Sequence, residues 1–184
     1  MTIKGCSPYS VALFVLERAQ AEVATTRAGS VDRVFVSPDR PVGEFCGQLW
    51  ATVTSIVPKP ARDKRAATAK ACAPEWRVSI TLGVYRCDPT YDRRNSRPAD
   101  AVKPVALDSA ARDLLDDAEA LRRAIIGAAW DDVDVDREQV QLGAMRMAPR
   151  SGGAYGVEWD LMVDTELGRM TDEAATKLTG DPRK

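Results

Sequence analysis

Trp76–Cys87 reads WRVSITLGVYRC, and its alternation decides the fold. Trp76, Val78, Ile80, Leu82 and Val84 fall on one side of an extended chain, while Arg77, Ser79 and Thr81 fall on the other. Successive side chains of a strand point to opposite faces, so this period of two predicts a strand with one buried face. Upstream, Phe45–Val57 repeats the pattern: Leu49, Ala51 and Val53 alternate with Gln48, Trp50, Thr52 and Thr54. Downstream, Gln139–Met147 and Gly156–Leu167 flank a Pro149–Tyr155 segment rich in Arg, Ser and Gly, which predicts a β-hairpin with a flexible tip. In its second arm Val157, Trp159, Leu161 and Val163 alternate with Glu158, Asp160 and Asp164, so one face is expected to be buried and the other wet.

Two stretches change period. From Ser10, a natural N-cap, to about Thr25, the residues Ala12, Val15, Leu16, Ala19 and Val23 recur at helical spacing. Asp108 opens the second helix, where Ala111, Leu114, Ala118, Leu121 and Ile125 keep one face and Asp113, Asp116, Asp117, Glu119, Arg122 and Arg123 mostly supply the opposite one. This helix should end near Gly127–Trp130. A short strand is expected at Arg33–Val36, followed by a turn around Pro38–Pro41. Pro58–Pro74, with a helical turn near Ala66–Ala71, and Asp88–Pro104 read as long polar loops, and Met170–Lys184 as a short helix or loose tail. Helix, strands, helix and hairpin in that order predict an α+β fold. The expected architecture is a mainly antiparallel sheet with two main helices packed on one face, a C-terminal β-hairpin and long inter-strand loops. The whole chain, 1–184, is expected to be one domain with its core over about 10–167 and a tail over 168–184.

With 184 residues, 45% apolar and 29% charged, the chain has the makeup of a folded domain with a real core. Lys plus Arg number 26 against 27 Asp plus Glu, so no general electrostatic pull towards nucleic acid or an anionic membrane exists. Histidine is absent. That removes the commonest general base, zinc ligand and triad partner. Cys6, Cys46, Cys72 and Cys87 form no C-x-x-C pair. Cys46 and Cys87 sit within or at the end of apolar strand-like runs, which points to buried free thiols in a chain made and kept in a reducing cytosol. No signal-peptide layout and no apolar run of about 18 residues is present.

Each candidate for chemistry has a plainer reading. Asp131, Asp132, Asp134, Asp136 and Glu138 carry a D-x-D-x-D core, yet the position where a calcium loop needs glycine is Arg137. A solvated helix-to-strand connection is the preferred reading. Ser151–Gly156 lacks both phosphate-loop spacings and precedes a strand, not a helix. The basic Lys59–Lys70 and Arg93–Arg97 stretches have no interleaved aromatics or recognition helix. Trp50, Trp76, Trp130 and Trp159 read as core or interface anchors. No catalytic, cofactor-binding or metal-ligating residue is assigned, and no enzymatic activity is expected.

The segments VFVSPDRPVGEFCGQLW, ITLGVYRCDPT, LDSAARDLLDDAEAL and GVEWDLMVDTELG occur in that order. A strand opening on V-[FY]-V, a proline-containing turn, a Cys-bearing strand and the Arg86-Cys87-Asp88-Pro89 strand end complete the pattern, over about residues 10–167. In this the chain resembles tail-terminator and head–tail joining proteins of long-tailed bacteriophages infecting actinobacteria. The resemblance implies a non-enzymatic virion protein, assembled in the host cytoplasm and located in the tail or neck. It also implies a homo-oligomeric ring, typically of six, that caps the tail tube and meets a head-completion connector, with DNA passing through the lumen. Another head–tail connector (head-closure, stopper or minor tail) is the alternative. A DNA-binding regulatory module and a carboxylate-based hydrolase at Asp131–Glu138 rank lower. Lys59, Arg62, Lys64, Arg65, Arg93, Arg94, Arg97, Arg150 and Tyr155 are the expected subunit or partner contacts.

Overall fold

The computed structural model describes residues 7–41, 46–59, 75–92, 97–98, 102–133, 135–151 and 153–166. Its elements run α1 (Pro8–Ala24), β1 (Arg33–Ser37), β2 (Gln48–Pro58), β3 (Glu75–Cys87), β4 (Tyr91–Asp92), β5 (Arg97–Pro98), α2 (Pro104–Ile126), β6 (Val140–Ser151) and β7 (Ala154–Glu166). Two 3-10 turns, Trp130–Val133 and Arg137–Gln139, lead from α2 into β6. The main sheet has the order β1-β2-β3-β7-β6, with every pair antiparallel except β1–β2. The fold is α+β, with both helices on one face and β6–β7 as the C-terminal hairpin.

The helices start one turn earlier than their polar residues suggest. Ser7, not Ser10, caps α1: its Oγ accepts the Ser10 N–H at 3.1 Å and Pro8 takes the first turn. Proline suits that position because its missing N–H has no helical partner there. For the same reason α2 opens at Pro104 after Lys103, and Asp108 lies inside the helix, paired with Arg112 one turn on. Gly127 ends α2 as expected.

One apolar core fills the space between helices and sheet. Val11, Val15, Leu16, Ala19 and Val23 of α1 and Leu121, Ala124 and Ile125 of α2 meet Leu49, Ile80, Leu82, Val84, Val157, Leu161 and Val163. The helices cross the sheet antiparallel to each other, joined on their outer sides by Glu22–Arg123 and Arg27–Asp113. Asp117 departs from the expected polar face. It is fully buried and receives Arg86 of β3 through two hydrogen bonds of 2.8 and 2.9 Å. Trp130 is also buried, donating its indole N–H to Ile125 O at 2.9 Å.

The hairpin corrects a second expectation. Pro149–Ser151 belong to β6 and Ala154–Tyr155 to β7, so Pro149–Tyr155 is mostly strand, with a register shift between Ala148 and Ser151 and with Gly153 turning the chain at φ +85°. A third correction concerns cysteine: Cys46 and Cys87 are not free thiols but form a disulfide. Spacing along the chain could not reveal this, because β2–β3 pairing brings residues 41 apart together. The expected helical turn at Ala66–Ala71 and the tail from Met170 lie outside the described residues. Tyr91–Asp92 and Arg97–Pro98 form a small two-stranded sheet within the expected 88–104 loop. No helix among the described residues is long and apolar enough to cross a membrane.

Candidate functional site

The face of the sheet turned away from the helices carries a connected set of ion pairs and polar side chains. Register sets it up. Trp50 of β2 pairs with Gly83 of β3, Gly83 with Glu158 of β7, and Glu158 with Arg146 of β6. Directly opposed residues share a face, so these four form a row across the sheet. Gly83 is the gap that lets Trp50 lie flat: a Cβ there would stand 2.5 Å from the indole Cζ2. Phe35, Trp50, Tyr85, Ala148 and Ala154 make a second small core on this side, so the face expected to be wet is partly dry. Burial, reinforced by the Glu158 charge, pushes the Tyr85 hydroxyl above its ordinary pKa.

Glu158 is 1% exposed. Its Oε1 accepts from Arg146 Nε at 3.2 Å and from Arg40, which reaches over from the β1–β2 connection. Arg146 continues to Asp160, donating Nη2–H to Oδ1 at 2.8 Å, and Thr81 donates to the same Oδ1 at 2.8 Å. Glu158 Oε2 and Trp50 Nε1 make no hydrogen bond among the described residues, and Gly83 separates them in register. Towards the other end, Arg77 grips Asp164 through bonds of 2.8 and 3.0 Å. Lys59 Nζ sits 2.9 Å from both Asp164 and Glu75. The Arg77 hydrogen bonds, helped by Lys59 and opposed by burial, hold the Asp164 carboxyl down at about 2.

Between these two ion clusters lies an open groove of about 480 Å³. Both irregularities that border it are sheet bulges, at Val53/Ser55 in β2 and at Leu142/Met145 in β6. An extra residue bends a strand and increases its twist, which opens the face here. Thr54, Ser79, Gly143, Arg146, Asp160 and Met162 line it. Gly143 is required by the close approach of β7, since a Cβ would meet Asp160 Cβ at 2.9 Å.

No protein-family model and no curated protein matches the chain. Asp164 stays ionised through the neutral range and cannot donate a proton there. Glu158 and Asp160 are held by arginines, and the Thr81 hydroxyl is committed to Asp160. Among the described residues, no group of three or more His, Cys, Asp or Glu is placed to hold a metal ion. Arg40, Arg146, Arg77 and Lys59 each already face a carboxylate, so the constellation is close to charge-balanced.

The expected contact residues are scattered. Lys59 belongs to the Asp164 cluster at one end of β3. Tyr155 lies at the opposite end, paired with Arg86. It is buried and donates its hydroxyl to Ala110 O at 3.4 Å, so it anchors α2 and does not face outward. Burial pushes its hydroxyl up to about 12. Arg97 lies in β5 and Arg150 in β6. Arg62, Lys64, Arg65, Arg93 and Arg94 lie outside the described residues, as does Asp134 of the acidic stretch. Asp131 and Asp132 sit on the first 3-10 turn, where Asp132 meets Arg18 at 3.4 Å. Sequence reasoning missed Arg40, Glu158 and Asp164. The one available signal was that Glu158, Asp160 and Asp164 share one face of a strand whose other face is apolar.

Proposed function

We propose that this chain is a structural subunit of the head–tail joining apparatus of a long-tailed bacteriophage. In this reading it is a tail terminator that closes into a ring of copies of itself, caps the tail tube and meets the head connector. The observation that carries the reading is the unlike character of the two sheet edges. β1 is a five-residue edge paired parallel to its neighbour, whereas β6 is a twelve-residue edge exposing Met145 (38%) and Met147 (56%). A head-to-tail ring needs two different surfaces on each subunit, and a long edge with exposed apolar side chains is a ready template for association. Another connector position in the neck uses the same features. A DNA-binding role gains nothing from this face, because its cations are paired.

Native mass spectrometry or light scattering over a range of concentrations tests the proposal. A closed ring near six subunits, alone or on addition of tail tubes, is the expected result. A chain that stays monomeric with tail tubes present, and is retained on DNA in a salt-dependent way, overturns it.

A further inference from the structure

Cys46 and Cys87 are held side by side by contacts that involve no sulfur. Gly47 donates its N–H to Tyr85 O at 2.9 Å and accepts the Arg33 N–H at 3.1 Å, which fixes the residue after Cys46 between β1 and β3. Asp88 donates to Gly153 O at 2.8 Å, which fixes the residue after Cys87 against the hairpin turn. Gly47 achieves its position at φ +75°, where a side chain is strained. The two Cα atoms lie 4.6 Å apart, within the span of a disulfide. The backbone bonds alone therefore bring the thiols together in the folded chain. Their closure is a local step with little entropy left to lose. Cys87 is exposed and open to a small-molecule partner, while Cys46 lies half-buried against the Trp50–Tyr85 core.

We propose that Cys46–Cys87 is a reversible clasp that closes in the already folded protein. The Cys87 thiolate attacks a low-molecular-weight disulfide, whose S–S bond breaks and releases one small thiolate. The Cys46 thiolate then attacks the Cys87 sulfur of that mixed disulfide and displaces the second small thiolate. Two protein thiols are oxidised, one small disulfide is reduced to two thiols, and the two protons pass to the released thiolates. The clasp ties the entry to β2 to the end of β3, beside the Trp50–Tyr85 core of the polar face. Closed, it adds a covalent link to the Gly47 backbone bonds; open, those bonds remain. The timing rests on the function proposed above: a particle assembled in a reducing cytosol would close the clasp on release, locking the polar face after assembly.

The test uses the full chain, purified with reductant and equilibrated in graded mixtures of reduced and oxidised glutathione. Free thiols are then alkylated and the digest is mapped by mass spectrometry. The expected result is a peptide linking Cys46 to Cys87 that forms in native protein, reverses with excess thiol, and raises the melting temperature by about 10 °C. The rise should vanish in Cys87→Ser and in Cys46→Ala. Alkylation of both residues in every mixture overturns the clasp. So does a bond that only denatured protein can make or break, or an oxidant-dependent rise retained by the variants. Native mass on the same samples separates the two proposals: monomer in both states defeats the ring and leaves the clasp, whereas rings without the linked peptide defeat the clasp alone.

Discussion

Arg86 and Asp117 form a two-pronged ion pair between the end of β3 and the middle of α2. Nε and Nη2 of Arg86 donate to the two carboxylate oxygens at 2.8 and 2.9 Å. Arg86 Nη2 also donates to Gly29 O at 2.8 Å, and Thr26 donates to Asp117 at 3.1 Å. One buried pair thus ties the sheet, the second helix and the turn after the first. Removing a single partner leaves a buried charge alone, which costs far more than the pair itself is worth. Asp117→Ala should lower unfolding stability by about 3–5 kcal/mol. In urea titration the midpoint should fall with the slope unchanged, and an Arg86→Met/Asp117→Leu double variant should recover much of the loss. A single variant within 1 kcal/mol of wild type would disprove this account.

Acid should weaken the fold through Asp164. Its folded pKa, about 2, is below the ordinary 3.8, so the stabilisation is fully present above about pH 4 and is lost as pH falls towards 2. The difference corresponds to about 2 kcal/mol. Asp164→Asn removes the titrating group, so its stability should fall less steeply between pH 4 and 2 than that of wild type. Equal slopes for the two proteins would show that Asp164 is not responsible.

Gly83 is a packing requirement, since its missing side chain is the seat of the Trp50 indole. Gly83→Ala should cost about 1–3 kcal/mol by overpacking. Adding Trp50→Leu should make the alanine tolerable, giving a double variant more stable than the sum of the single losses. Strict additivity in thermal melts would refute the contact.

The β6 edge separates folding from assembly. Met147 is exposed, so Met147→Lys should change monomer stability by no more than about 0.5 kcal/mol. A lysine on an open edge discourages pairing between chains. Loss of the ring with an unchanged melting temperature is the expected outcome, whereas rings that survive both Met145→Lys and Met147→Lys would exclude this edge as the contact.

Period was the reliable signal in this chain. The two-residue alternation of Trp76–Cys87 and Val157–Val163 and the helical recurrence from Ala12 to Val23 report on one side of each element and follow from local backbone geometry. They were sufficient for the α+β class, the helix–sheet core and the hairpin. Element ends were less legible at Ser7–Pro8 and Lys103–Pro104. There a proline sets the start, while a serine or aspartate further on also has the chemistry of a cap. The local sequence could not show which polar residues would be buried, because burial depends on what arrives from elsewhere. Glu158 is dry because Arg40 and Arg146 converge on it from other segments. Asp117 is dry because β3 delivers Arg86 beneath α2. Cys46 meets Cys87 only once β2 and β3 are in register. Pattern along the chain thus determined which faces turn inward. Only the tertiary structure decided which charges and thiols find each other, since those partners lie far apart in sequence and pair through packing, not through local propensity.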